Sequence, residues 1–335
     1  MTAYQGINIL IGNACDMHCA YCLQTGTDVP ANRPADVRTF AEMLASKLSE
    51  GMPRRISIWG GEPMVYWAKV RQLMESLTAV GVAPTQGYFI TTNGQKMTDE
   101  YVDYVNAHTV WTTVSSHDWH FSVEQWDRIA RLDHFSVSAI IHRKHLTFWD
   151  FRQRFYAFED RYGFKPRFYL HFLRANDGCS PEFYLTKDDV DRLCQHLLDD
   201  VVTLAHQGDD WARWQCAQLL SERRKERQKG MGEKCVRDDR LSVDLHGNIY
   251  ACHHNFDASN ICGHLSRTVV PIRADHATVD PRRFSASEAC RACDIFEECH
   301  GGCYLSNTHD VDCYLAKQMH TVYEAMKEVV QWRPE

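Results

Sequence analysis

The sequence predicts an α/β fold: a parallel sheet curled toward a barrel, followed by a loop-rich, cysteine-rich C-terminal region. Three observations carry this expectation. Short runs rich in Ile, Val, Phe and Tyr alternate with longer amphipathic runs over residues 1–207. Beyond Gly230 the composition turns cysteine- and loop-rich as far as Cys313. The 335-residue chain also holds 14 cysteines, and they gather in two places.

Taken in order, buried strands are expected at 7–11, 55–59, 88–92, 110–115, 135–141 and 168–172. Helical length and spacing fall between them, at 35–50, 65–80, 98–107, 122–131 and 147–162. Thr98, followed by Glu100 and Tyr101, opens its helix in a capping context. Strands separated by helices pair in parallel, and right-handed crossovers curl such a sheet toward a barrel. Chemistry then belongs at the C-terminal ends of the strands. A further helix is expected over 188–205, and 209–229 reads as an amphipathic connector with Trp211, Trp214, Leu219 and Leu220 on its apolar side. Its basic end, 223–229, reads as a solvated helix face favoured by the helix dipole. A closing helix follows Cys313.

The net charge of −7 argues against a protein that coats nucleic acid, although a local basic patch is compatible with it. No apolar run approaches a bilayer span, and 7–11 is too short for a secretory signal. A cytoplasmic protein is expected. That compartment keeps thiols reduced, so thiolates in this number point to metal rather than disulfides.

The first group is Cys15-Asp16-Met17-His18-Cys19-Ala20-Tyr21-Cys22, directly after the first strand. Three thiolates on one loop can hold three irons of a cubane cluster and leave the fourth iron open to a ligand. A zinc site is the alternative, but closed zinc sites want four ligands, and only His18 stands nearby. The second strand runs into Gly60-Gly61-Glu62-Pro63. Two glycines admit close backbone approach, and a carboxylate beside them can hold a cationic amine. A plain strand-to-helix turn would look the same.

With these motifs in this order the chain resembles the radical S-adenosylmethionine (radical SAM) enzymes. The resemblance implies that Cys15, Cys19 and Cys22 ligate a [4Fe–4S] cluster whose open iron takes the methionine end of S-adenosylmethionine. It places Tyr21 near the adenine and Gly60, Gly61 and Glu62 at the amine. Thr92 and Asn93, within Thr91-Thr92-Asn93-Gly94, match another cofactor segment. Ser115, in Ser115-Ser116-His117-Asp118, matches a cofactor-contacting serine, with Trp119 where the pattern has glycine.

The second group runs Cys235-x11-Gly247-x4-Cys252, then Cys290-x2-Cys293-x5-Cys299-x3-Cys303, then Cys313. Seven cysteines suit two clusters on an interleaved framework, with two zinc sites as the alternative. Gly247-Asn248 reads as a hairpin turn that delivers Cys252. The pattern resembles the SPASM domain of radical SAM enzymes. By that resemblance Cys290, Cys293, Cys299 and Cys313 hold one auxiliary [4Fe–4S] cluster, and Cys235, Cys252 and Cys303 hold three corners of another. Cys216 or Cys262 would supply its fourth ligand, or one iron stays open. Cys179 and Cys194 read as ordinary thiols. The implied architecture is a partial (β/α)6, TIM-like barrel over 1–207, a helical connector over 208–232 and a SPASM domain with a C-terminal helix over 233–335.

Three [4Fe–4S] clusters and S-adenosylmethionine are thus the expected cofactors, with an external electron donor such as flavodoxin or ferredoxin. Position at strand ends singles out His117, Asp118, His142, His171 and Arg174, and of these Asp118 and His171 are the catalytic candidates. Modification of a peptide or protein side chain is the leading expectation. Because the chain opens on its first strand, a short peptide or a separate peptide-recognition protein would be needed. Rearrangement or oxidation of a small molecule or nucleotide, or of a nucleic-acid base, is the second reading, and a non-catalytic electron carrier the third.

Overall fold

Every residue of the first strand, β1 (Gly6–Leu10), is buried, as expected of a continuous apolar run covered on both faces. The computed structural model describes residues 5–22, 24, 28–48, 51–116, 121–173, 179–227, 240–250, 252–254, 256–267, 288–299, 306 and 308–330. Asp118, His117, Arg174, Cys235 and Cys303 lie outside the described residues. The chain packs as two compact units, Met1–Val137 with Cys235–Phe284, and Ser138–Lys234 with Ser285–Glu335.

After β1 the order is α1 (Val37–Lys47), β2 (Arg55–Trp59), α2 (Trp67–Ala79), β3 (Tyr88–Thr92), α3 (Asp99–Ala107), β4 (Val110–Ser115), α4 (Val123–Ala130) and β5 (Phe135–Ile141). Three caps fix helix starts. Asp36 accepts the Arg38 amide, Thr98 accepts the Tyr101 amide, and Ser122 with Gln125 closes a capping box. The helices bury the stripes their spacing requires: Phe40, Ala41 and Leu44 on α1, and Val70, Leu73, Met74 and Leu77 on α2. In this first unit β4, β3, β2 and β1 pair in parallel in that order, the expected α/β arrangement.

The second unit continues with α5 (Trp149–Tyr162), β6 (Phe168–Phe172), α6 (Lys187–His196), α7 (Thr203–His206) and α8 (Asp210–Arg227). A wider π turn, Leu197–Val202, separates α6 from α7 where one continuous helix was expected. Arg223 corrects the reading of 223–229 as a solvated face. It is 4% exposed, pairs with Glu324 at 3.3 Å and His320 at 3.0 Å, and lies over the Tyr323 ring.

The sheet of the first unit has a partner that local pattern did not announce. β7 (Arg240–Asp244) runs parallel to β1, pairing Leu10 with Asp244, and β8 (Asn248–Tyr250) and β9 (Ile261–His264) follow antiparallel. Gly247, with φ of 85°, makes the expected hairpin turn. Asp244 is fully buried and closes it, accepting the His246 and Asn248 amides, the Asn248 side chain and the Tyr250 hydroxyl. The one-turn helices α9 (Glu288–Arg291) and α10 (Phe296–Cys299) precede α11 (His309–Val330) in the second unit. Among the described residues no helix is long and apolar enough to cross a membrane.

Candidate functional site

Main-chain pairing carries β1 and β2 side by side past their ends. The Ile11 amide donates to Trp59, the Gly61 amide to Gly12 and the Glu62 amide to Ala14. The cysteine loop is thereby laid along Gly60-Gly61-Glu62. A Cβ on Gly61 would stand 2.4 Å from the carbonyl oxygens of both Asn13 and Ala14, and one on Gly60 2.9 Å from that of Gly12. The close approach that demands glycine here is therefore that of the cysteine loop itself. Pro63 opens a 3-10 turn, Pro63–Tyr66, where its missing N–H costs nothing.

Glu62 is 1% exposed, and its two oxygens are engaged by protein donors. One accepts the Met64 amide at 2.8 Å and the Thr92 hydroxyl at 2.6 Å, and the other the Asn93 amide at 2.6 Å. Burial pushes its carboxyl above the ordinary range, and those three hydrogen bonds pull the other way. Asn93, at the end of β3, donates its side-chain amide to Asp16 at 2.8 Å, inside the cysteine motif. Three segments far apart in sequence thus meet at one end of the sheet, the end where parallel α/β folds place chemistry.

Of the three loop thiols, Cys15 and Cys19 are half-buried and Cys22 is exposed. Burial pushes the Cys15 thiol up, opposed by the Met17 amide that donates to its sulfur. Tyr21 is buried between them in sequence. Two residues that sequence reasoning passed over hold the loop: the Tyr66 hydroxyl accepts the Ala14 amide at 2.7 Å, and Asn32 accepts the Asn13 amide at 2.8 Å. Among the described residues, no three His, Cys, Asp or Glu side chains are gathered as one metal ion requires. Cys15, Cys19 and Cys22 are three thiols on one braced loop, a donor set that could hold three irons of a cubane cluster.

At the end of β4 the two serines differ. Ser115 is half-exposed, while Ser116 is fully buried and its hydroxyl has no hydrogen-bond partner among the described residues. Alternation along β4 was the available signal, since Val110, Thr112 and Val114 share the buried face with Ser116. His171 is exposed on β6, in the second unit.

The hairpin that carries buried Cys252 belongs to the same unit as the cysteine loop. Leu10, Val29, Ala31, Tyr250 and Phe256 form one apolar cluster, and the Ala258 amide donates to Asp28 at 2.8 Å. His253 and His254 lie edge-on to Trp59, at 5.3 and 5.7 Å between ring centres. Cys262 donates to the Ile249 carbonyl within the hairpin, and burial pushes its thiol up to about 11. Cys216 is fully buried in the second unit, and burial pushes its thiol up to about 12. Cys290, Cys293, Cys299 and Cys313 all belong to the second unit, the first three half-buried and the last exposed. Cys179 and Cys194 are buried.

No family model matches the chain. Among curated proteins it is similar to the GTP 3',8-cyclases of two Haemophilus influenzae strains, PittGG and Rd, at 29% identity over 106 residues. That match covers 31% of this chain and only 30% of the length of each relative. Among solved structures it is similar to native anSMEcpe with bound AdoMet, with a TM-score of 0.70 at 13% identity, covering 97% of this chain and 99% of that one. The same enzyme with bound AdoMet and the Kp18Cys peptide superposes with a TM-score of 0.68 at 13% identity and the same coverage. Streptococcus suis SuiB bound to S-adenosylmethionine gives 0.61 at 14% identity, over 90% of this chain and 73% of that one. The fold is thus shared with these AdoMet-binding proteins along nearly the whole chain, and the resemblance drawn from the motifs is met in the fold.

Proposed function

We propose that this chain, which has the fold of the radical SAM class, is a radical SAM enzyme that modifies a peptide or protein side chain. The observation that carries the reading is the hydrogen-bonded meeting of Cys15–Cys22, Gly60–Glu62 and Thr92–Asn93 at one strand end. When bound, a [4Fe–4S] cluster and S-adenosylmethionine supply reductive cleavage to methionine and a 5′-deoxyadenosyl radical, which takes hydrogen from the substrate. Cys15, Cys19 and Cys22 would hold the cluster, and Gly60, Gly61, Glu62, Thr92, Asn93, Ser115 and Tyr21 would shape the cofactor site. Glu62 does so chiefly as a buried brace. Its remaining acceptor capacity is what it can offer an amine.

The proposed organisation is a barrel over 1–207, a connector over 208–232 and a SPASM domain over 233–335. Cys290, Cys293, Cys299 and Cys313 would hold one auxiliary cluster, and Cys235, Cys252 and Cys303 three corners of a second. Of the two candidate fourth ligands, Cys262 shares a unit with Cys252 and Cys216 does not. Asp118 and His171 are the proposed catalytic residues, and a flavodoxin- or ferredoxin-type protein the electron donor.

Peptide as substrate is supported by solved neighbours that carry bound peptides. The partial match to GTP 3',8-cyclases favours a nucleotide as the second reading. Arg223, the first residue of the basic stretch that would meet a phosphate, is instead buried against α11. The test is 5′-deoxyadenosine formation by anaerobically reconstituted, reduced protein, with cysteine-containing peptides added in one arm and GTP in the other. Peptides should accelerate it, with a matching mass change in the peptide. Acceleration by GTP alone would overturn the peptide reading.

A further inference from the structure

Asn93 engages its main-chain N–H and both ends of its side-chain amide, and each partner is specific. Its main-chain N–H donates to Glu62 at 2.6 Å, and its side-chain carbonyl accepts the Gln95 amide at 2.9 Å. The Gln95 contact fixes which way the side-chain amide faces, because a main-chain N–H can meet only the oxygen. The NH2 end is thereby turned to the cysteine loop. There it donates to Asp16 at 2.8 Å and reaches the Cys15 sulfur at 3.9 Å. Asn93 itself is 6% exposed, and both contacts are partly buried. A second N–H, from the Met17 amide, lies 3.4 Å from the same sulfur.

We infer that Asn93 is a positioning residue of the N-terminal cluster, fixing the Cys15 corner and tuning its reduction potential through an N–H to sulfur contact. The inference rests on the reading of Cys15, Cys19 and Cys22 as cluster ligands. It adds to the expectation that Asn93 shapes the cofactor site, since both N–H groups of its side chain face the cysteine loop. The physical reason is general. Donors to a ligating sulfur stabilise the more negative, reduced cluster and raise its potential, and partners beyond the ligands set ligand orientation. Two functions are combined in one amide, a brace to Asp16 and a donor to Cys15, and they can be separated.

Asn93→Ala removes both. Asn93→Asp combined with Asp16→Asn restores the brace, since the amide now donates from position 16 to the carboxylate at 93, but gives Cys15 no donor from β3. The readout is a redox titration of anaerobically reconstituted protein, monitored by electron paramagnetic resonance. The relevant signal is the one lost when Cys15, Cys19 and Cys22 are all replaced by Ala. The double variant should hold wild-type iron, and its signal should move to a more negative potential while the other cluster signals stay in place. Asn93→Ala should show the same shift with lower occupancy of that one cluster. A wild-type potential in the double variant, or failure of the double variant to hold the cluster at all, would overturn the inference. If instead the triple cysteine variant keeps every signal, the ligand reading itself fails, and the two failures are distinguishable.

Discussion

Glu62 holds three hydrogen bonds on two oxygens, and its neighbours decide what a substitution there does. In Glu62→Gln one oxygen becomes an NH2 that confronts an N–H, so one buried donor loses its acceptor. A cost of about 1–3 kcal/mol follows for such a loss, and urea unfolding of the variant measures it. The pH dependence has a definite sign. Burial raises the folded pKa above the ordinary 4.5, so the folded chain takes up this proton at a higher pH than the unfolded chain does. The contribution to stability is present in full below 4.5 and is lost as pH rises through the folded value. The difference in unfolding free energy between the wild-type protein and Glu62→Gln should therefore change over that window, and a difference independent of pH would contradict it. Glu62 stood out in the sequence by its motif, but its role as a brace did not, because its partners at 92 and 93 lie on another strand. Ser116 was overlooked beside Ser115 for a related reason: motif matching ignored the two-residue period that sends every second side chain of β4 inward.

At the scale of elements, period and caps carried the reading. β1 to β6 and the helices between them fall where apolar spacing puts them, with ends fixed by Thr98 and by the Ser122 box. What spacing could not supply was the place of β7. Its parallel pairing with β1 joins residues as far apart as Asn8 and Ser242, whose side chains hydrogen-bond at 3.3 Å, and non-local pairing leaves no local period. The π turn at Leu197–Val202 was hidden likewise, since its apolar residues keep a helical stripe. Arg223 was misread because an arginine at a helix end is ordinarily solvated, and its partners His320, Tyr323 and Glu324 lie about a hundred residues onward. The hairpin offers a test at this scale. Asp244→Ala would leave two main-chain amides, the Asn248 side chain and the Tyr250 hydroxyl without their acceptor. A loss of about 3 kcal/mol is expected from unsatisfied buried donors, read by chemical denaturation. The apolar cluster that Tyr250 shares with Leu10 and Val29 should loosen with it, seen as faster hydrogen exchange in both 28–33 and 248–261. Unchanged exchange at 28–33 would mean that the hairpin does not support the segment whose Asn32 holds the Asn13 amide.

At the scale of the whole molecule, the two cysteine groups announced the chemistry, while the packing of the chain was less plain. Cys252 belongs to the unit that carries Cys15, Cys19 and Cys22, and Cys290, Cys293, Cys299 and Cys313 to the other. A reading by composition alone, which changes after Gly230, groups all the later cysteines together. It could not see that β7, β8 and β9 extend the sheet begun by β1, for the pairing is made in space. The central claim is that the N-terminal loop holds the cluster that cleaves S-adenosylmethionine, and one comparison tests it most directly. Reduced, anaerobically reconstituted wild-type protein and the variant with Cys15, Cys19 and Cys22 replaced by Ala are incubated with S-adenosylmethionine, and 5′-deoxyadenosine and iron are measured in each. The wild-type protein should form 5′-deoxyadenosine and carry on the order of twelve irons, and the variant should form none while losing about four of them. Equal iron in the two proteins, or 5′-deoxyadenosine from the variant, would contradict the account.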